Sequence, residues 1–136
     1  MRPDKDEYYL NIAEAVLQRS TCLRRKYGAV IVKNDEIIAT GYNGSPRGWV
    51  NCCDFGYCYR QLKEIPHGER MELCVAVHAE MNAIISASRR DMIGATLYLA
   101  GREADGNVVL GISPCTICER LIRNAGITAV ITRKDI

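Results

Sequence analysis

His78, Glu80, Cys115 and Cys118 are the residues of this sequence whose types and spacing point most directly to chemistry. They offer one imidazole, two thiols and one carboxylate. The first and the last two make the ligand set of a zinc ion that keeps its fourth position open for water. The carboxylate of Glu80 is the proton carrier that such a site needs beside it. Cys115 and Cys118 are three apart at the start of a predicted helix, so both side chains fall on one face. Pro114 fits the residue leading into that helix. His78 and Glu80 are two apart, roughly 200° around a helix axis, and cannot share a stripe. The metal is therefore expected over a helix end, where first-turn side chains fan out around the axis. Two helix N-termini facing one ion favour thiolates and a developing hydroxide.

Each piece alone has a plainer use. Cys115-x-x-Cys118 also fits a thioredoxin-like redox pair or half of a structural zinc site. A lone histidine is more often structural than a ligand. Glu80 decides against a purely structural or partner-binding zinc module, which has no use for a carboxylate that is not a ligand.

The elements that must carry these residues follow from periodicity. Tyr9, Ile12, Ala13, Val16 and Leu17 repeat at helical spacing, predicting an amphipathic helix from about 5 to 19. Residues 28–32 and 36–40 are β-branched runs around Lys33-Asn34-Asp35, which predicts a hairpin with a tight polar turn. Residues 41–77 are rich in Gly, Pro, Cys and aromatics and lack periodicity. A segment of that length is usually functional, or held by something other than a core. Helix is expected from 78 to about 90 and strand from 95 to 100. A hairpin or loop is expected around Asp105-Gly106-Asn107. A helix carrying Cys118, Leu121, Ile122 and Ala125 follows, closed by Gly126, with a last strand over 127–132. The order α-β-β-α-β-α-β predicts an α/β fold, a mixed sheet with helices on its faces.

The 136 residues suit one domain, 1–136, and 48% hydrophobic content suffices for a core. A net charge of +2 suits a small anionic substrate and gives no support to a nucleic-acid groove. The polar N-terminus shows no run fit for a signal peptide or a membrane span. A cytoplasmic protein is expected, in which seven cysteines read as metal ligands or reactive thiols before disulfides.

His-x-Glu followed by Pro-Cys-x-x-Cys is the signature of the zinc base deaminases. The chain resembles their deoxycytidylate (dCMP) deaminase branch, within the cytidine deaminase superfamily. The resemblance rests on Arg19-Ser20-Thr21-Cys22-Leu23-Arg24-Arg25, Gly28-Ala29-Val30-Ile31-Val32, Gly41-Tyr42-Asn43-Gly44-Ser45-Pro46-Arg47-Gly48, His78-Ala79-Glu80-Met81-Asn82-Ala83-Ile84 and the Pro114 block. It implies a three-layer α/β/α cytidine-deaminase-like fold and the conversion of dCMP and water to dUMP and ammonia. His78, Cys115 and Cys118 are then the catalytic zinc ligands and Glu80 the proton shuttle. Asn43 is carried over as a contact to the nucleotide sugar, although as a loop-end asparagine it also fits a plain turn residue. Arg24, Arg25, Lys26 and Arg47 are candidates for the phosphate, since cationic side chains suit phosphate oxygens; each also fits a solvated surface charge. A homo-oligomer, hexamer or dimer, and dCTP and dTTP as effectors are further implications. Alternatives are other zinc deaminases acting on cytidine, guanine or transfer-RNA adenosine. The sequence departs from the family pattern at residues 102–110, which intervene before Ser113-Pro114-Cys115.

Some members of the family hold a second zinc. The irregular 41–77 segment needs a staple, and Cys22, Cys52, Cys58 and Cys74 are expected to supply four ligands for a structural zinc, with Cys53 or His67 as possible replacements. The other possibility is a set of buried free thiols.

Overall fold

A computed structural model describes residues 1–66, 70 and 73–135. It opens with α1 (Lys5–Leu17), capped by Asp4, whose carboxylate accepts from the Glu7 amide at 2.8 Å. Strands β1 (Lys26–Lys33) and β2 (Glu36–Tyr42) form the expected antiparallel hairpin. Its turn places Asn34 and Asp35 both at positive φ, a geometry these two residue types tolerate. Two single-turn helices follow, α2 (Cys52–Phe55) and α3 (Tyr59–Leu62), inside the stretch that lacked periodicity.

The helix expected from 78 to about 90 is two helices. α4 (Ala79–Ile85) ends at Ser86, and α5 (Arg89–Met92) starts afresh behind Ser88. The Ser88 hydroxyl accepts from the Asp91 amide at 3.2 Å, so the serine begins a helix where periodicity predicted the interior of one. Strand β3 (Thr96–Arg102), helix α6 (Thr116–Ala125) and strand β4 (Ala129–Thr132) complete the order. Gly126 closes α6 at a φ of 88°, the left-handed position expected of it.

The sheet runs β2-β1-β3-β4, with β1 antiparallel to both neighbours and β4 parallel to β3. Alternating residues divide its two faces. Val30, Val32, Tyr98 and Ala100 pack beneath α1. Ala29, Ile31, Leu97 and Leu99 face residues of α4, α5 and α6. The central strands are buried on both sides, and the layering is α/β/α. Among the described residues no helix is long and apolar enough to cross a membrane.

Two glycines set how closely helices approach the sheet. A Cβ on Gly28 would collide with the Ala13 carbonyl of α1, and one on Gly41 with the α4 backbone at Ala79 and Ala83. The second contact seats the helix that carries His78 and Glu80.

Candidate active site

The two helix starts meet on the α4–α6 side of the sheet. His78 is the N-cap of α4, with extended φ and ψ, and Glu80 is the second residue inside that helix. Cys115 is the N-cap of α6, and its sulfur accepts from the Cys118 amide at 3.4 Å. The cap positions explain how residues two apart serve one centre: His78 lies outside the helix and turns across its mouth, while Glu80 projects from the first turn.

His78 presents Nδ1 to both thiols, 3.1 Å from the Cys118 sulfur and 3.5 Å from that of Cys115. The three donor atoms lie within 4.8 Å of one another. Cys118 is fully buried. Burial first, and then the neighbouring Glu80 carboxylate, push its thiol well above the ordinary range. A thiolate there is favoured only beside a cation. One imidazole nitrogen and two sulfurs at this separation fit zinc, with room for a further ligand.

Glu80 is 6% exposed and lines a cavity of about 540 Å³ together with His78 and Cys115. Arg24, Arg25 and Arg60 line the same cavity, as do Asn43 and Tyr27. The cavity therefore brings His78 and Cys115 of the metal-binding trio and a buried carboxylate together with three arginines, while Cys118 lies buried behind its wall.

A family model described as the cytidine and deoxycytidylate deaminase zinc-binding region matches residues 3–134. The chain belongs to this deaminase family. It is 44% identical to the deoxycytidylate deaminase of Mycobacterium phage D29, with 98% of each chain covered. It is 35% identical to the deoxycytidylate deaminase of Schizosaccharomyces pombe over 96% of its own length, which is 37% of the yeast protein. Among solved structures it resembles the dCMP deaminase of cyanophage S-TIM5 in apo form, with a TM-score of 0.69, 32% identity, and 98% and 86% of the two chains covered.

The other expected site residues of this deaminase fall into three groups. Arg24 and Arg25 reach the cavity, whereas Lys26 and Arg47 are absent from its lining; Arg47 is exposed on the loop after β2. Asn43 lines the cavity but is 7% exposed and heavily engaged. Its Oδ1 accepts from the Ser20 hydroxyl at 2.6 Å and the Tyr27 amide at 2.9 Å, and its Nδ2 donates to the Arg25 carbonyl at 2.9 Å. Most of its capacity shapes the cavity wall, and one amide hydrogen is left for a ligand.

The four cysteines expected to form a second site gather loosely. Burial is the main cause that raises the Cys52 thiol, and the charges of Cys22, Cys58 and Cys74 add to it, so the four share one neighbourhood. Among the described residues, only His78, Cys115 and Cys118 meet as a tight donor cluster. Cys53 is exposed, and His67 lies outside the described residues. Cys22 and Cys74 also line the active-site cavity, which joins the cysteine region to the cavity wall.

Two cavity residues carry little sequence signal. Arg60 is 4% exposed and donates from Nη2 to the Pro66 carbonyl at 3.0 Å. Glu103 belongs to the segment that interrupts the family pattern. Their places depend on tertiary structure; the only clue in the sequence is a charged residue inside an irregular or inserted stretch.

Proposed function

We propose that this protein is a zinc-dependent hydrolytic deaminase that converts dCMP and water to dUMP and ammonia. The observation that carries this reading is the single cavity holding His78, Cys115 and buried Glu80 together with Arg24, Arg25 and Arg60. It offers machinery for the base and cationic groups for a phosphate. The resemblance to a cyanophage dCMP deaminase also solved with dCMP and dUMP, at 30% identity and a TM-score of 0.67, supports the nucleotide assignment.

His78, Cys115 and Cys118 hold the catalytic zinc, which supplies a Lewis acid that makes water a nucleophile at neutral pH. Glu80 takes one proton from that water and delivers it to the ring nitrogen next to carbon 4 as the hydroxide bonds to that carbon. Glu80 then takes the second proton from the new hydroxyl and passes it to the amine, so that the carbon–nitrogen bond breaks, ammonia leaves and a carbonyl remains. Its burial excludes competing solvent protons, and its place in the first turn of α4 suits a negative charge. Arg24 and Arg25 meet the phosphate, and Asn43 holds the wall from which Arg25 projects while offering its spare amide hydrogen to the sugar. Lys26 and Arg47 contribute to the potential around the entrance rather than to direct contacts.

Cys22, Cys52, Cys58 and Cys74 hold a second, structural zinc that closes the 41–77 segment. Their shared neighbourhood and the amide of Arg24, which donates to the Cys22 sulfur at 3.4 Å, support it. The whole chain serves as one deaminase domain. It acts in the cytoplasm, in keeping with cysteines read as metal ligands rather than disulfide partners, and assembles as a homo-oligomer open to dCTP and dTTP as effectors.

An ammonia-release screen of dCMP, dCTP, deoxycytidine, cytidine, guanine and 5-methyl-dCMP tests the reading. Turnover of dCMP well above that of deoxycytidine is expected. Turnover of nucleosides without turnover of dCMP would overturn the phosphate assignment.

A further inference from the structure

Arg25 is braced from two sides at the cavity wall. Its Nε donates to Oε2 of Glu103 at 3.0 Å, and its Nη2 lies 2.9 Å from Oε1 of the same carboxylate. Its Nη1 donates to the Tyr27 hydroxyl at 3.3 Å. The Tyr27 ring is itself fixed, since it lies so close over Gly101 that a Cβ there would come within 2.8 Å of it. A guanidinium carries five N–H donors, so Arg25 keeps some beyond these contacts.

Glu103 is the second residue of the segment 102–110. The segment is built to hold it: Arg102 pairs with Val108 in an isolated bridge, the Glu103 amide donates to the Asn107 carbonyl at 2.8 Å, and the Gly106 amide returns to the Glu103 carbonyl at 2.9 Å. Arg102 anchors its base, donating to Glu14 of α1 at 2.9 Å and to the Gly106 carbonyl at 2.8 Å. Glu103 and Ala104 both line the active-site cavity. The Arg25 and Glu103 side chains are 43% and 39% exposed, and pairs this accessible add little to folding. Stability therefore does not account for so ordered a loop delivering a carboxylate to the cavity.

We infer that Glu103 is a positioning residue for phosphate recognition, holding the Arg25 guanidinium so that its remaining N–H groups meet the 5′-phosphate of the nucleotide. This inference rests on the nucleotide reading of the site. A carboxylate on one edge and a tyrosine hydroxyl on another remove most of the freedom of a long side chain before the substrate arrives. Without the carboxylate, that ordering falls on binding, and affinity for the phosphate-bearing ligand drops. The nucleoside, which does not reach Arg25, is affected much less.

The test is equilibrium binding of dUMP and deoxyuridine to the zinc-loaded protein, alongside KM for dCMP. Glu103→Ala is expected to weaken dUMP about five- to tenfold relative to deoxyuridine and to raise KM for dCMP in step, with a smaller effect on kcat. Arg25→Ala is expected to weaken dUMP further. The Arg25→Ala/Glu103→Ala protein should match Arg25→Ala alone, because Glu103 acts only through Arg25. A wild-type protein that binds dUMP no better than deoxyuridine overturns the nucleotide reading, and the role of Glu103 with it. If the wild type prefers dUMP and Glu103→Ala leaves that preference unchanged or strengthens it, the positioning role alone is overturned.

Discussion

Cys118 and Glu80 lie close enough that the charge of one works against the charge of the other, and both are almost sealed from solvent. That arrangement is costly for two bare anions and suited to a metal-centred site, where a cation offsets the thiolate and leaves the carboxylate free to move protons. On the other face of the sheet, where α1 packs on β3, Tyr9 of α1 and Tyr98 of β3 show the opposite use of carboxylates. The Tyr98 hydroxyl donates to Asp6 at 2.9 Å, and the Tyr9 hydroxyl donates to Asp35. Tyr98 is pushed to about 12, mainly by burial and then by its bond to Asp6. Tyr9 is also pushed to about 12, mainly by its bond to Asp35. A raised value means that the folded state keeps a proton which the unfolded chain releases from about pH 10 upward. The stability from this source is therefore complete below pH 10 and is lost as pH rises toward 12. Comparing thermal midpoints at pH 9 and pH 11.5, Tyr98→Phe should lose less stability over the interval than the wild type. Equal losses would show that Tyr98 does not carry this linkage.

At the scale of elements, the site depends on where two helices begin. His78 and Cys115 are both N-caps, and each cap is followed by the residue that shares its task, Glu80 or Cys118. The sequence pattern revealed this placement, because residues two apart cannot share a helical stripe and so had to surround a helix end. It did not reveal the break at Ser86–Ser88, since apolar spacing continues through 92 and only the capping bond of Ser88 separates the helices. Nor did it reveal which basic residues face the cavity. Arg24, Arg25, Lys26 and Arg47 are alike as charges, and their sorting depends on how the strand β1 and the loop after β2 are presented. Gly41 has the plainest mechanical role: it lets the α4 backbone rest on β2. Gly41→Ala should destabilise the protein by about 1–3 kcal/mol by overpacking and push α4 away from the sheet. Chemical denaturation should show the loss of stability. Deamination by the protein that remains folded should also fall, because His78 and Glu80 ride on that helix. Full activity per folded molecule would show that the α4 seat is not needed for the site.

For the whole molecule, the mixed sheet has a packed core on both faces, with α1 on one and α4, α5 and α6 on the other, and the chemistry lies on the second. The α1 face is closed by tyrosines and aliphatic residues. The opposite face carries the helix starts, and the cavity is completed by material that regular structure does not supply: the loop around Arg24, the cysteine-rich 41–77 segment and the segment 102–110. The sheet and its flanking helices were legible because their periodicity is local. The cavity wall was not, because these stretches take their shape from long-range ties such as Asn43 to Arg25 and Glu103 to Arg25. Metal analysis of purified protein should find about two zinc ions per chain in the wild type and about one in Cys115→Ala. About one in the wild type would remove the structural site at Cys22, Cys52, Cys58 and Cys74. The central claim is that a zinc held by His78, Cys115 and Cys118 works with Glu80 as the proton carrier. The most direct test is the turnover of dCMP by Glu80→Gln protein whose zinc content equals that of the wild type. A fall in kcat of at least about 100-fold with zinc retained is the predicted result. Near-normal turnover with zinc retained would contradict it.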